Sequence, residues 1–404
     1  MSIPIPSSIV ALDQILPQEP LLMMGAGPVP LPHRVSHANS IVINHLGDVM
    51  NRVIGQVKQM AAYVFQTQST HVLGVAGPGS AAMEMAICNL VTPGSHVLSV
   101  CNGYFSRRMA EMATRVGGHV TTVEVPDNQA ADPAVIEALL TRGRFETLTI
   151  VQGETSNTVH NRDLETIARL AHARGCAVIV DAVCTLSTMP CDMDQWNIDA
   201  VITGGQKGLS SIPGVSLLAF SDDAWTRIEA RTKPIAHWCL DALLADKFWN
   251  HRAYHYTAPV SGILALHEAL HLVCDETLAR RFRRHELCSK ALQHGIEAMG
   301  LDLMVPEAIR LNSVIGVTVP SHVSADEVRR HMSAVHRVEI SGSFGLPIVR
   351  IGQMGEQSRA HNLFRVLHAL GSSMQHAGAQ LDLPAGLAAL GRDLSTDASE
   401  AVVN

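Results

Sequence analysis

Between residues 50 and 225 the chain alternates short β-branched runs with stretches of helical spacing, and no other feature limits its fold as strongly. The runs "HVLGVAG", "HVLSVC", "HVTTVEV", "TLTIVQG", "CAVIVDAV" and "DAVITGG" read as short strands. Helical segments over 51–66, 133–142 and 161–174, and the run "SAAMEMAICNLV" opened by Ser80, separate several of them. Strands this apolar are covered on both faces, and parallel neighbours need a helical crossover. The alternation therefore predicts an α/β large domain on a mostly parallel sheet.

The texture changes over 231–260, which is rich in aromatic and His residues, and a helical pattern broken near residue 275 follows over 260–299. "SVIGVTVP", "SADEVRRHMSAV", "VEISGS" and "VRIGQMG" then predict a smaller α+β C-terminal domain. The expected division is an arm over 1–25, a large domain over 26–265 and a small domain over 266–404. The tail over 375–404, rich in Ala, Gly and Asp, carries weak signals and is expected to fray.

A length of 404 suits two domains, and 47% hydrophobic with 17% charged residues suits a buried core. A net charge of −7 with no basic run argues against a nucleic-acid partner. No Lys or Arg precedes Arg34, so no secretory or transit leader is expected. No uncharged apolar run approaches the roughly 18 residues of a membrane span, and "AVVN" matches no retention address. Eight cysteines without a CxxC pair read as free thiols in a reducing cytoplasm.

Two kinds of site compete. "HEALH", His267 to His271, satisfies the H-E-x-x-H zinc pattern, which puts two imidazoles on one helix face. A packing stripe of Ile263, Leu264, Leu266, Leu270 and Val273 explains the same helix, and no third ligand stands out, so no metal is expected. The other candidates lie at strand ends, where open α/β sheets bind ligands. "GPGSAAME" joins a strand to a helix near Ser80, which suits a phosphate or is simply a turn. "GETS" brings Glu154, Thr155 and Ser156 to a strand end, as a capping turn also would. Asp181 closes an uncharged strand, where a carboxylate is costly without a cation, donor or metal. Lys207, one of five lysines, follows "DAVITGG" 26 residues later. A poorly solvated lysine has a lowered pKa and a nucleophilic amine. Such a lysine, an acid for a pyridinium nitrogen and a helix N-terminus for a phosphate are what pyridoxal phosphate requires.

Asp181 in "VDAV", Lys207 in "TGGQKGL", "YHYTAPV" and "VRIGQMG" resemble the class V aminotransferases of fold type I. The likeness is strongest to the alanine/serine–glyoxylate (serine–pyruvate) group and runs from "GAGPVPLPHR" at 25–34 to about residue 375. It implies a mostly parallel seven-stranded sheet and a homodimer. It also implies transfer of nitrogen from alanine or serine to glyoxylate or pyruvate by a ping-pong Schiff-base route. By the same resemblance Lys207 is the Schiff-base lysine and proton carrier, and Asp181 pairs with the pyridine nitrogen. Val183 and Phe105 flank the ring, and Gly79, Ser80 and Gln206 hold the phosphate. Tyr254 and Thr257 reach that phosphate from the neighbouring subunit, and Thr155 lies near the ring 3′ oxygen. Arg350 grips the substrate carboxylate, with Ala26, Asn44 and His45 near the substrate.

Two departures bear on substrate identity: Pro78 replaces a small hydroxyl residue, and Asn44–His45 replaces a Gly-His pattern. Ureidoglycine–glyoxylate and pyridoxamine–pyruvate aminotransferases are the alternatives within the family. The first tends to carry Asn where this chain has Tyr254. A cysteine desulfurase needs a C-terminal loop cysteine, and none follows Cys288.

Overall fold

A computed structural model of the chain describes residues 9–400. The first eight residues of the expected arm and the terminal "AVVN" lie outside the described residues. The central sheet contains β1 (Val72–Gly77), β2 (His96–Cys101), β3 (His119–Glu124), β4 (Thr147–Val151), β5 (Ala177–Asp181), β6 (Ala200–Gly204) and β7 (Gly214–Phe220). Their order across the seven-stranded sheet is β1-β7-β6-β5-β4-β2-β3. The pairs β3–β2, β2–β4, β4–β5 and β5–β6 are parallel. β7 runs antiparallel between β1 and β6, so the sheet is mostly parallel, as expected.

β7 is the strand that the spacing did not mark. "GVSLLAF" is buried at every position after its first residue, so it carries no alternation of period two. β4, β5 and β6 are likewise buried throughout, whereas the edge strand β3 exposes His119, Thr121 and Thr122. Because the parallel strands share one direction, their carboxyl ends meet along one edge of the sheet. That edge receives α1 (Gly79–Leu90) after β1 and α2 (Tyr104–Arg115) after β2.

The long helical pattern resolves into α3 (Val260–Glu276) and α4 (Leu278–Ala298). The break is Thr277, whose φ of 66° leaves the helical region close to the expected residue 275. The first hydrophobic core includes Ile263, Leu266, Leu270, Val273 and Leu278, so α3 packs with the sheet. The expected division at 265/266 falls inside that helix. A second core begins with Met24 and Cys288 and includes Val317, Val328, Val349 and Ile351. It surrounds β8 (Val314–Thr318), α5 (Ala325–His336), β9 (Ile348–Gly352) and α6 (Ala360–His376). Leu22 and Met23 pair in parallel with Val338 and Glu339, which ties the end of the arm to this second core.

The tail expected to fray forms α7 (Leu383–Glu400) instead. Leu383, Leu387, Leu390 and Leu394 make a helical stripe on the second core, with Leu390 fully buried. Gly295 lets α4 approach closely, since a Cβ there would stand 3.2 Å from the Gly386 carbonyl oxygen. The stripe is masked in sequence by the small residues between the leucines.

Candidate active site

Beyond Gly204 the chain turns back on itself, with Lys207 N–H donating to the Gly204 carbonyl at 3.2 Å. This turn aims the Lys207 side chain at residues 26 and 27, and its Nζ donates to the Ala26 carbonyl. A Cβ on Gly27 would lie 2.8 Å from Lys207 Cδ and 2.9 Å from Nζ, and Gly27 has a φ of +96°. Only glycine meets both conditions. Lys207 is partly accessible as a residue, but its amine end is deeply enclosed. Burial lowers its pKa, the Arg350 charge lowers it further, and Cys184 and Asp181 oppose the shift.

Asp181 ends β5 beside this amine and is 5% exposed. Its Oδ1 accepts from Val183 N–H at 2.8 Å. Burial pushes its carboxyl pKa up to about 7, against the pull of Val183 N–H, Lys207 and Arg108. Among the described residues it has no ion-pair partner, so it is an acid in want of a buried cation or donor.

The Gly-rich turn leads into α1, which starts at Gly79 rather than Ser80. Pro78 is its N-cap and no side chain caps it. The first-turn N–H groups of Gly79 and Ser80 therefore have no helical acceptor. A Cβ on Gly79 would fall 2.9 Å from Val183 Cγ2, so the start of α1 packs directly on the segment after Asp181. Gln206 is 9% exposed and its Oε1 is buried without a hydrogen-bond partner. Ser80 Oγ accepts from Arg108 Nη1 at 2.7 Å. Arg108 also lies 5.0 Å over the half-buried Phe105 ring and 5.1 Å over Tyr104.

Arg350 comes from β9 of the second core and is 6% exposed. Its Nε donates to the Gly342 carbonyl and its Nη1 to the Thr155 carbonyl, each at 2.7 Å. Among the described residues no carboxylate lies within ion-pair distance, and burial pushes its pKa down to about 10. The Phe344 ring covers it at 5.1 Å, stacks on Tyr104 at 4.3 Å and meets Phe105 edge-on at 5.8 Å. Thr155 is buried, and the Cys184 thiol donates to the Gly153 carbonyl at 3.2 Å.

Glu154 in "GETS" has a structural task. Its carboxylate accepts from Phe105 N–H at 3.2 Å, Ser106 N–H at 2.9 Å and Ser156 N–H at 3.1 Å, and from both serine hydroxyls. It thereby caps α2 across 48 residues of sequence, placing Phe105 and Arg108.

Asn44, His45, Tyr254 and Thr257 stand apart from this group. The His45 and Tyr254 rings lie 6.0 Å apart, and Tyr254 is 60% exposed. Among the described residues no hydrogen bond or ring contact joins these four to Lys207, Asp181 or Arg350. In the "HEALH" segment, His267 Nε2 contacts Gln56 Oε1 at 2.6 Å and His271 Nδ1 contacts Asp275 at 3.0 Å. No group of three His, Cys, Asp or Glu among the described residues is arranged to hold a metal.

Arg108 and Cys184 escaped the sequence reading as site residues. Arg108 follows Phe105 by three positions, so helical spacing alone puts both on one face.

A strand-end lysine and acid, beside an uncapped helix start and a guanidinium from a second core, define the fold type I class of pyridoxal phosphate enzymes. The aminotransferase class-V family profile matches residues 33–341, and the chain belongs to that family. It is 34% identical over 365 residues to alanine–glyoxylate aminotransferase of Oryctolagus cuniculus, covering 88% of this chain and 93% of the relative. Among solved structures, alanine–glyoxylate aminotransferase of Nostoc sp. is 32% identical with a TM-score of 0.85, covering 91% of this chain and 100% of that one. Ureidoglycine–glyoxylate aminotransferase of Bacillus subtilis is 28% identical with a TM-score of 0.91, covering 94% and 99%.

The family implies pyridoxal phosphate, and the residues present fit it. Asp181 is a buried acid without an ion-pair partner, the first-turn N–H groups of α1 have no acceptor, and the Gln206 amide adds a donor beside them.

Proposed function

We propose that the chain is a pyridoxal-phosphate aminotransferase that moves an amino group from alanine or serine to glyoxylate or pyruvate. The observation that carries this reading is a buried, pKa-lowered amine at Lys207 set between an unpaired acid, Asp181, and an unpaired guanidinium, Arg350. The likeness to alanine–glyoxylate aminotransferases supports the choice of substrates.

When bound, the cofactor supplies an electron sink and stores the nitrogen between two half-reactions. Asp181 would hold the proton on the ring nitrogen, and its burial makes that pairing strong. Val183 and Phe105 would flank the ring, with the Thr155 side chain near its 3′ oxygen. Gly79, Ser80 and Gln206 would hold the phosphate. Lys207, released as a neutral amine, would take the proton from the substrate Cα and return it, the task its lowered pKa suits. Arg350 would bind the α-carboxylate through the N–H groups left by its two carbonyl contacts, and Ala26 would line the same pocket.

The proposal includes a homodimer. Tyr254 and Thr257 are exposed, and the Tyr254 ring lies 6.0 Å from that of His45, which suits residues that complete a second copy's site. The eight cysteines are free, and six of them are buried, which suits a reducing compartment such as the cytoplasm.

A donor screen on purified protein tests the substrate assignment. Alanine, serine, ureidoglycine and pyridoxamine are offered singly, and conversion of the cofactor is followed by near-visible absorbance. Conversion by alanine or serine supports the proposal. Conversion only by ureidoglycine or by pyridoxamine replaces it with the corresponding alternative.

A further inference from the structure

The start of α1 gathers positive charge at a helix end that no side chain caps. Helix N-termini carry a partial positive charge, and a cation beside one is unfavourable unless an anion joins them. Arg108 is such a cation. Its Nη1 lies 2.7 Å from Ser80 Oγ, and among the described residues no carboxylate comes within 4 Å of its guanidinium. Gln206 brings a buried side-chain amide whose Oε1 has no partner and whose Nε2 is the group able to donate to an anion. A Cβ on Gly204 would lie 2.9 Å from that oxygen and 3.4 Å from Gly79 Cα, so Gln206 borders the same helix start.

The direction of the Arg108 hydrogen bond matters. A hydroxyl has one proton and two lone pairs. Arg108 donates into a lone pair of Ser80, which leaves the Ser80 proton free and turns it away from the guanidinium. Pro78 at the N-cap offers neither an N–H nor a hydroxyl. The cup has therefore lost donors on one side and gained an oriented, charge-polarised hydroxyl on the other. Glu154 fixes this arrangement by capping α2, and the Phe105 ring packs under the guanidinium at 5.0 Å.

From this geometry we infer that Arg108 is a positioning residue for the cofactor phosphate. It acts through Ser80, orienting the hydroxyl proton toward the phosphate and supplying positive charge where Pro78 offers no donor. This inference rests on the pyridoxal-phosphate reading above.

The test measures binding rather than turnover. The full chain, stripped of cofactor by dialysis, is titrated with pyridoxal phosphate and separately with pyridoxal, which lacks the phosphate. Protein fluorescence and near-visible absorbance report binding. Arg108→Ala and Arg108→Gln are expected to weaken pyridoxal phosphate about tenfold and leave pyridoxal affinity nearly unchanged. Arg108→Lys is expected to restore part of the loss. Ser80→Ala combined with Arg108→Ala is expected to cost no more than the larger single loss, since both act on one hydrogen-bonded path. Equal weakening of both ligands, unchanged affinity for pyridoxal phosphate, or additive losses in the double variant would each overturn the inference. An unmodified chain that binds neither ligand would instead overturn the cofactor reading itself.

Discussion

The Nζ of Lys207 donates to the backbone carbonyl of Ala26, a residue 181 positions earlier in the chain. The amine at the heart of the site is thus held by the segment that joins the arm to the large domain. Gln357 holds the same segment from beyond β9, its Nε2 donating to the Met23 carbonyl at 2.9 Å and the Gly25 carbonyl at 2.7 Å. Lysine, arm and Arg350 strand are therefore fixed relative to one another by backbone acceptors rather than by ion pairs.

Removing the amine tests the centre of the proposal. Lys207→Ala is expected to lower turnover by at least about a thousandfold, since it removes both nucleophile and proton carrier. The near-visible absorbance of the purified variant should differ from that of the parent. Full turnover would contradict the mechanism.

Asp181 predicts a pH effect on the cofactor-free protein. Its folded pKa, near 7, lies above its unfolded value, so the folded state binds the extra proton. This contribution favours folding below the unfolded value, and it is lost as pH rises through the folded one. Asp181→Asn should remove the dependence and make the cofactor-free protein more stable above pH 7 by on the order of 4 kcal/mol. Urea unfolding at two pH values measures it. With cofactor, the same variant should lose activity.

Arg350→Lys keeps the charge and loses the planar fork. A fall of roughly 10- to 100-fold in kcat/KM for amino acids is expected, chiefly through KM. Steady-state kinetics against an amine without a carboxylate provides the control, which should change little.

Gly27→Ala places a methyl group against the Lys207 side chain at a residue of φ +96°. The expected cost is about 1–3 kcal/mol, together with reduced turnover, because relief requires moving the lysine. Denaturant midpoints and kinetics on one preparation should change together.

Glu154→Gln should destabilise the fold by about 2–3 kcal/mol. An amide nitrogen would then face donors now satisfied by carboxylate oxygens. Thermal or urea unfolding reads the change, and cofactor binding should weaken as α2 loosens.

The sequence by itself determined the layered α/β order, because the switch between strand and helix periods is a local property that neighbouring residues carry. It also marked Asp181 and Lys207, since a charge closing an apolar strand is conspicuous along one dimension. The break at Thr277 was legible for the same reason. β7 and α7 were not. Full burial erased the alternation of one, and small residues diluted the stripe of the other. Only the tertiary structure decided that the Ala26 carbonyl meets Lys207, that Glu154 caps a helix 48 residues earlier, and that Arg108 and Phe344 join the site. Those contacts depend on where packed elements bring distant backbone and side chains together, and no local pattern of residues carries that distance.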